Sequence, residues 1–336
     1  MMESPITVLW SNIIHTFENI NSSSLSAHQL AVKSGKISPC INYINDNEKV
    51  KTPSASLKSR TINIQETYLS HLWAFMYTTL VMHEEGIQKP MIDGTFNGSL
   101  QFDTPLLKRA KSLFDWSISL TNNYSKWDES LPNPKIHNCN KEKLYAEKVN
   151  TLFQDAVAFV MFHEFAHLTQ NHDSFFFGVE VKRQKIAELS NKKNKSKKEL
   201  SELSKLSQDM NELIQIENES DKLAFDALIN QNGNDTEKLL KGISILSVYC
   251  SSLLIVRDIY RIKQSEHPDV DNRILNFLQQ LNPVKEDDQF YCDYFVIFII
   301  RLFCLKHNIN LPPIEFETAQ EALYYYHGEL DKIKNE

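Results

Sequence analysis

Two histidines stand four residues apart, at His163 and His167, and a glutamate, Glu164, directly follows the first. On a helix, positions i and i+4 share one face, so both imidazoles can reach a single metal ion. A carboxylate between them can take a proton from a water held at that metal. The chemistry such a set supports is metal-assisted hydrolysis. With 11 histidines and 25 glutamates in 336 residues, the pattern is expected by chance only about 0.03 times. The competing reading is a pair of histidines satisfied by other polar groups on a buried helix.

The element that must position these residues follows from their surroundings. The run from Ala156 to Phe162 is apolar all round, which predicts a helix enclosed by neighbours, extending from about Glu147 to His172. Enclosure holds side chains in fixed rotamers, as a metal site requires. His-Glu-x-x-His on a helix is the pattern of zinc peptidases. The longer metzincin form needs a glycine and a further histidine where this chain has Gln170 and Asp173, so that form is excluded. His172 would lie about 140° around the helix from His167, off the ligand face.

Two histidines leave a zinc site incomplete, because a catalytic site takes a third protein ligand and keeps one position open. The segment Glu217-Asn218-Glu219-Ser220-Asp221 supplies it. Glu217 and Asp221 share a helical face; the first can bind zinc, and the second can accept the free N–H of a ligating histidine and fix its tautomer. Glu219 points about 200° away from Glu217 and is the alternative ligand, and a solvated acidic helix is the bland reading. Further on, His267-Pro268 opens a helix that also carries Arg273. His267 at that entrance could face the site, or the turn could simply cap the helix with Arg273 in an ion pair.

Composition sets the frame. Apolar residues at 42% and charged residues at 24% are ordinary for a soluble globular chain. Only 8 glycines and 11 prolines argue for mostly helical structure. The net charge of -7 gives no reason to expect nucleic-acid binding. Five scattered cysteines without a CxxC pair read as reduced thiols of a cytoplasmic protein, not as a disulfide framework or a cysteine zinc site. The N-terminus shows no secretory pattern. The apolar stretches 243–256 and 294–300 read as core helices, too short for confident membrane spans, and peripheral membrane association stays open.

Along the chain, residues 1–20 suggest a helix broken at 21–24, and 36–68 suggests one or two strands, with Thr61-Ile62-Asn63-Ile64-Gln65 alternating. Residues 66–84, 106–120, 241–260 and 292–307 read as helices. His71, His83 and His137 have no partner at ligand spacing and read as structural or surface residues. Trp73 and Trp116 read as core. Residues 182–215 differ in texture: Lys192, Lys193, Lys195, Lys197 and Lys198 crowd one short stretch between apolar residues at roughly heptad spacing. This predicts a helical hairpin with a basic tip, either a solvated insertion or a partner-recognition arm.

Taken in order, these residues resemble the Lit-type phage-exclusion peptidase family of zinc peptidases. The resemblance covers most of the chain. It runs through Leu72-Trp73-Ala74-Phe75, Leu113 to Trp116, Trp127, Leu131-Pro132-Asn133-Pro134, His163 to His167, Glu217 to Asp221, His267-Pro268 and Arg273-Ile274. It implies a cytoplasmic endopeptidase that acts during phage infection, with elongation factor Tu as the protein substrate and a phage-derived activator among its partners. Two departures stand out. Residues 182–215 lengthen the link between His167 and the third-ligand segment, and Ser220 replaces a common alanine.

The expected fold is a predominantly helical α+β zincin-like metallopeptidase with a small sheet beside the motif helix. Its expected parts are an N-terminal helical region with short strands (1–140), a zinc-peptidase core with the hairpin insertion (141–310) and a C-terminal helical segment (311–336). Zn2+ would be held by His163, His167 and Glu217, with Asp221 and Arg273 behind them. Glu164 would serve as general base and His267 would assist the oxyanion. Two other readings stay open: another intracellular gluzincin that cleaves a regulatory protein, and a non-catalytic zinc-stabilised binding module.

Overall fold

The computed structural model describes residues 4–20, 22–38, 40–170, 172, 178–229, 233–264, 268–312 and 314–335, the side chains of 180, 183, 260 and 261 excepted. It begins with a short 3-10 turn, Pro5–Leu9, that leads into α1 (Trp10–Asn19). The next helix, α2 (Ser22–Lys33), starts inside the serine stretch expected to be a break. Serines are good at helix entrances because their hydroxyls can bond local backbone groups, so the stretch separates two helices without opening a loop. Asn21 lies outside the described residues.

Three strands follow: β1 (Asn42–Ile44), β2 (Ser54–Ser56) and β3 (Thr61–Gln65). Their order is β1-β3-β2, with β1 parallel to β3 (Asn42 opposite Asn63) and β2 antiparallel to it (Ala55 opposite Ile62). Because β3 is central, Ile62 and Ile64 turn into the core while Thr61 and Gln65 are buried as well. The strand runs directly into α3 (Glu66–His83), and the Tyr43 hydroxyl donates to the Glu66 carboxylate at 2.6 Å across that junction.

Helix α3 buries every residue except Leu80. After a single π turn come α4 (Lys89–Ile92) and α5 (Pro105–Ser119), the latter entered through Thr104, whose hydroxyl accepts from the Leu107 N–H at 3.2 Å. The motif helix is α6 (Asn140–Thr169). Glu142, buried in its first turn, bonds Arg109 and accepts from the Asn138 N–H at 2.8 Å, a favourable place for negative charge. Val157, Met161 and Phe153 are wholly buried; burying each side chain of this size contributes about 1.5–3 kcal/mol. Trp73 fixes α3 to α6 by donating to Asn150 at 2.8 Å, and Trp73, Trp116 and Trp127 form one aromatic cluster. Strands β2 and β3 pack beside α6.

The chain then forms a helical hairpin from α7 (Val179–Asn191) and α8 (Lys197–Leu228). Ser196 and Glu199 make a reciprocal capping box, which explains why a helix starts within a lysine run. Val179, Ile186, Met210 and Leu213 form an apolar cluster separate from the main core, and Lys182 pairs with Asp209 at 2.8 Å. Helix α8 is continuous, about 48 Å at 1.5 Å per residue, so one rod carries both the basic tip and Glu217. Helices α9 (Asp235–Ile255), α10 (Val270–Leu281), α11 (Glu286–Lys306) and α12 (Ala319–Asn335) complete the fold. By length and composition α9 could cross a membrane, but Ile245, Leu246, Cys250, Leu253 and Leu254 are fully buried against its neighbours.

Helix α10 is held from the far end of the chain. The Lys334 ammonium on α12 lies 2.9–3.0 Å from Asp271, 3.0 Å from Asp269 and 2.6 Å from Asp331. Asp269 is the N-cap residue of α10 and Asn282 ends it in the left-handed region (φ 41°), which asparagine tolerates. The protein is thus a predominantly helical α+β fold in which α6, α8 and α10 converge on one site.

Candidate metal centre

Helix α6 presents His163 and His167 one turn apart, and α8, packed along it, presents Glu217. The three ligand atoms form a tight triangle. His163 Nε2 and His167 Nε2 are 3.1 Å apart; Glu217 sets Oε2 3.3 Å from the first and Oε1 3.4 Å from the second. One ligand atom from each of the three residues lies within 4.8 Å of the others, and a tetrahedral zinc with bonds of about 2.0–2.1 Å needs ligand atoms about 3.3 Å from one another. The donor set and its spacing are therefore of the kind that fits such an ion. Glu217 is 1% exposed, while His163 and Glu164 keep 9% and 8%, so what exposure the cluster retains lies on the motif-helix side.

The residue behind His163 is Asp221, one turn after Glu217. Its Oδ1 lies 2.8 Å from His163 Nδ1; a proton kept on Nδ1 beside that carboxylate would leave Nε2 to serve as the ligand atom once a metal displaces its proton. Arg273 on α10 holds Asp221 as a two-pronged partner, Nε donating at 2.9 Å and Nη2 at 2.7 Å. The guanidinium also lies 5.0 Å from the centre of the Tyr249 ring on α9, a cation–π distance. Sequence spacing thus brings together His163, Glu164, His167, Glu217, Asp221 and Arg273 from three helices. Glu219 is exposed on the outer face of α8, as the 200° separation requires, and takes no part. His267 lies outside the described residues.

The electrostatics favour positive charge at the triangle. Burial opposes an imidazolium, yet the Asp221 and Glu217 carboxylates raise His163 to about 10. Burial likewise acts against an ionised Asp221, but Arg273 and His163 bring it down to about 2. A site that would otherwise hold a proton this firmly is one where a cation is well placed. Among the described residues a second group, Asp271, His327 and Asp331, also has atoms close enough for an ion. There the Lys334 ammonium already stands beside both carboxylates.

Three side chains at the site carry no sequence signal. The motif helix ends at Thr169, where the Gln170 N–H bonds the Ala166 carbonyl at 2.9 Å, three residues short of the expected end. His172 is consequently not on that helix, and the expected separation of about 140° from His167 is not realised. It returns to place its Nδ1 3.0 Å from His167 Nδ1. Tyr68, on the first turn of α3, is buried, and its phenol is raised above the ordinary value first by burial and then by the charge of Glu164. Tyr249 is raised by burial and then by Asp221. Both phenols stay protonated at neutral pH. His71 and His83 are core residues, the former bonded to the Ser117 carbonyl at 2.9 Å and the latter set against Tyr291 and Tyr294.

The profile of one known family, Peptidase U49, matches residues 62–295, from β3 into α11, and so includes every residue just described at the centre. No curated protein and no solved structure matches the chain. With the match spanning well over half of the 336 residues, and with the converging residues inside it, the chain belongs to the peptidase U49 family.

Proposed function

We propose that the protein is a zinc-dependent endopeptidase of the cytoplasm. The observation that carries this reading is the convergence of His163 Nε2, His167 Nε2 and the Glu217 carboxylate, the imidazoles 3.1 Å apart and one carboxylate oxygen 3.3–3.4 Å from each, next to an intact Glu164. Two imidazoles and one carboxylate, the group found among the described residues, are a catalytic donor set for zinc, whereas structural zinc sites use four protein ligands. Zinc bound there would act as the Lewis acid that polarises a scissile carbonyl and makes water acidic near neutral pH. Glu164 takes the proton from the attacking water and returns it to the leaving amine. Asp221, clamped by Arg273, keeps His163 in one tautomer and one orientation throughout. His267 is assigned to the developing oxyanion.

The biological setting rests on the resemblance to the Lit-type family: cleavage of elongation factor Tu during phage infection, with a phage-derived trigger. A binding module would have no use for a carboxylate at Glu164, which favours catalysis over a purely structural zinc. The test is to incubate purified protein with host lysate, with and without phage components, and to identify new chain termini. The expected result is one zinc-dependent cleavage, in elongation factor Tu. A discrete product from another protein would retain the peptidase and replace the substrate; no product under any condition, with zinc bound, would overturn the peptidase reading.

A further inference from the structure

The two imidazoles of the centre are supported differently. His163 Nδ1 faces an anion, Asp221, itself neutralised by Arg273. His167 Nδ1 faces another imidazole, His172 Nδ1, at 3.0 Å, and the Ser220 hydroxyl at 3.5 Å. His172 is buried, 5% exposed, and its ring meets that of His167 edge to face with centres 5.3 Å apart. The spacing of the motif gives it no part.

A histidine that turns Nε2 toward a metal must carry its proton on Nδ1, and that proton needs an acceptor. His172 Nδ1 stands at ordinary hydrogen-bond distance, whereas the serine oxygen is at the outer limit. We infer that His172 is a positioning residue for zinc binding. Its unprotonated Nδ1 accepts the Nδ1–H of His167 and so holds Nε2 of His167 toward the ion. The inference rests on the reading of His163, His167 and Glu217 as a zinc site.

Charge explains why an imidazole stands here and not a second aspartate. A divalent ion is balanced by Glu217 and Glu164, while Asp221 and Arg273 cancel one another. A carboxylate behind His167 would leave an extra negative charge in a buried place, which is costly without a partner. A neutral acceptor orients the ring without that charge. Its position also depends on the end of α6 at Thr169: one more helical turn would carry residue 172 around the helix, away from His167.

Asparagine and phenylalanine separate this role from packing. The Oδ1 of asparagine occupies about the place of histidine Nδ1, so His172→Asn keeps the acceptor and loses ring volume; His172→Phe keeps the ring and loses the acceptor. The measurement is zinc affinity by competition with a chromogenic chelator at fixed pH, with circular dichroism to verify folding. The visible absorption of the cobalt-loaded proteins gives a second readout. We expect His172→Asn to bind zinc within about threefold of wild type and His172→Phe to bind 10–100-fold more weakly, the range for losing a partner of a metal-bound histidine. The cobalt spectrum should be kept in the first and altered in the second. Wild-type affinity in His172→Phe would overturn the inference and leave the zinc site standing, as would equal losses in both variants. Failure of the wild-type protein to bind one zinc would instead overturn the site reading on which the inference rests.

Discussion

Replacing Arg273 with methionine removes the clamp on Asp221 while keeping much of the side-chain volume. In the native protein Asp221 lies at about 2 against an ordinary 3.8, a difference on the order of 2 kcal/mol gained against the opposing effect of burial. With Arg273 gone, burial remains and only His163 is left to hold the charge. Breaking a buried pair costs about 3–5 kcal/mol; since the two side chains keep 14% and 19% exposure, about 3 kcal/mol is the appropriate size. The sign with pH follows from the lowered carboxyl. This stabilisation is present above about pH 4 and is lost as pH falls toward 2. Urea unfolding of metal-free Arg273→Met should therefore show a loss of about 3 kcal/mol at pH 7, shrinking in acid. Zinc affinity should fall 10–100-fold as His163 loses its fixed partner. Asp221→Asn with Arg273→Met should cost less than the two single changes added together, because neither charge is left alone. Stability within about 0.5 kcal/mol of wild type and unchanged zinc affinity in Arg273→Met would refute the argument.

Three further outcomes can be checked with the same protein. Glu217→Gln should lose stoichiometric zinc while Glu219→Gln retains it, measured by metal analysis after gel filtration. In metal-free protein the raised His163 stabilises the fold fully below about pH 6.5, and that contribution should disappear as pH rises through about 10, so the urea midpoint should fall across this window and fall less with zinc bound. Reversing Lys193, Lys197 and Lys198 together to glutamate should leave zinc content unchanged and global stability within about 0.5 kcal/mol, because the tip is exposed and the hairpin has its own apolar cluster.

Much of the site is legible in the chain because it depends on helical spacing. His163 and His167, then Glu217 and Asp221, are each one turn apart, and the same arithmetic turns Glu219 outward. The all-apolar run before His163 announces an enclosed helix, and the alternation at Thr61–Gln65 announces the central strand. What was hidden is long-range or local to a helix end. β1 and β2 are three residues each, too short to show alternation, and exist because β3 offers them a ladder. Helix α2 buries only His28 and Ala31, so it has almost no apolar stripe to read. No glycine or proline marks the end of α6 at Thr169, so helical spacing continued past it hides the approach of His172 to His167. The Lys334 contacts to Asp269 and Asp271 join residues more than sixty positions apart, which spacing cannot show.

If His163, His167 and Glu217 hold the ion while Glu164 moves the proton, zinc binding and cleavage must separate in one variant. The decisive comparison is wild type against Glu164→Gln, each loaded with one zinc, for cleavage of protein in host lysate. Equal zinc content is expected, with a discrete product from wild type and none from the variant. Cleavage by zinc-loaded Glu164→Gln at the wild-type rate would contradict it.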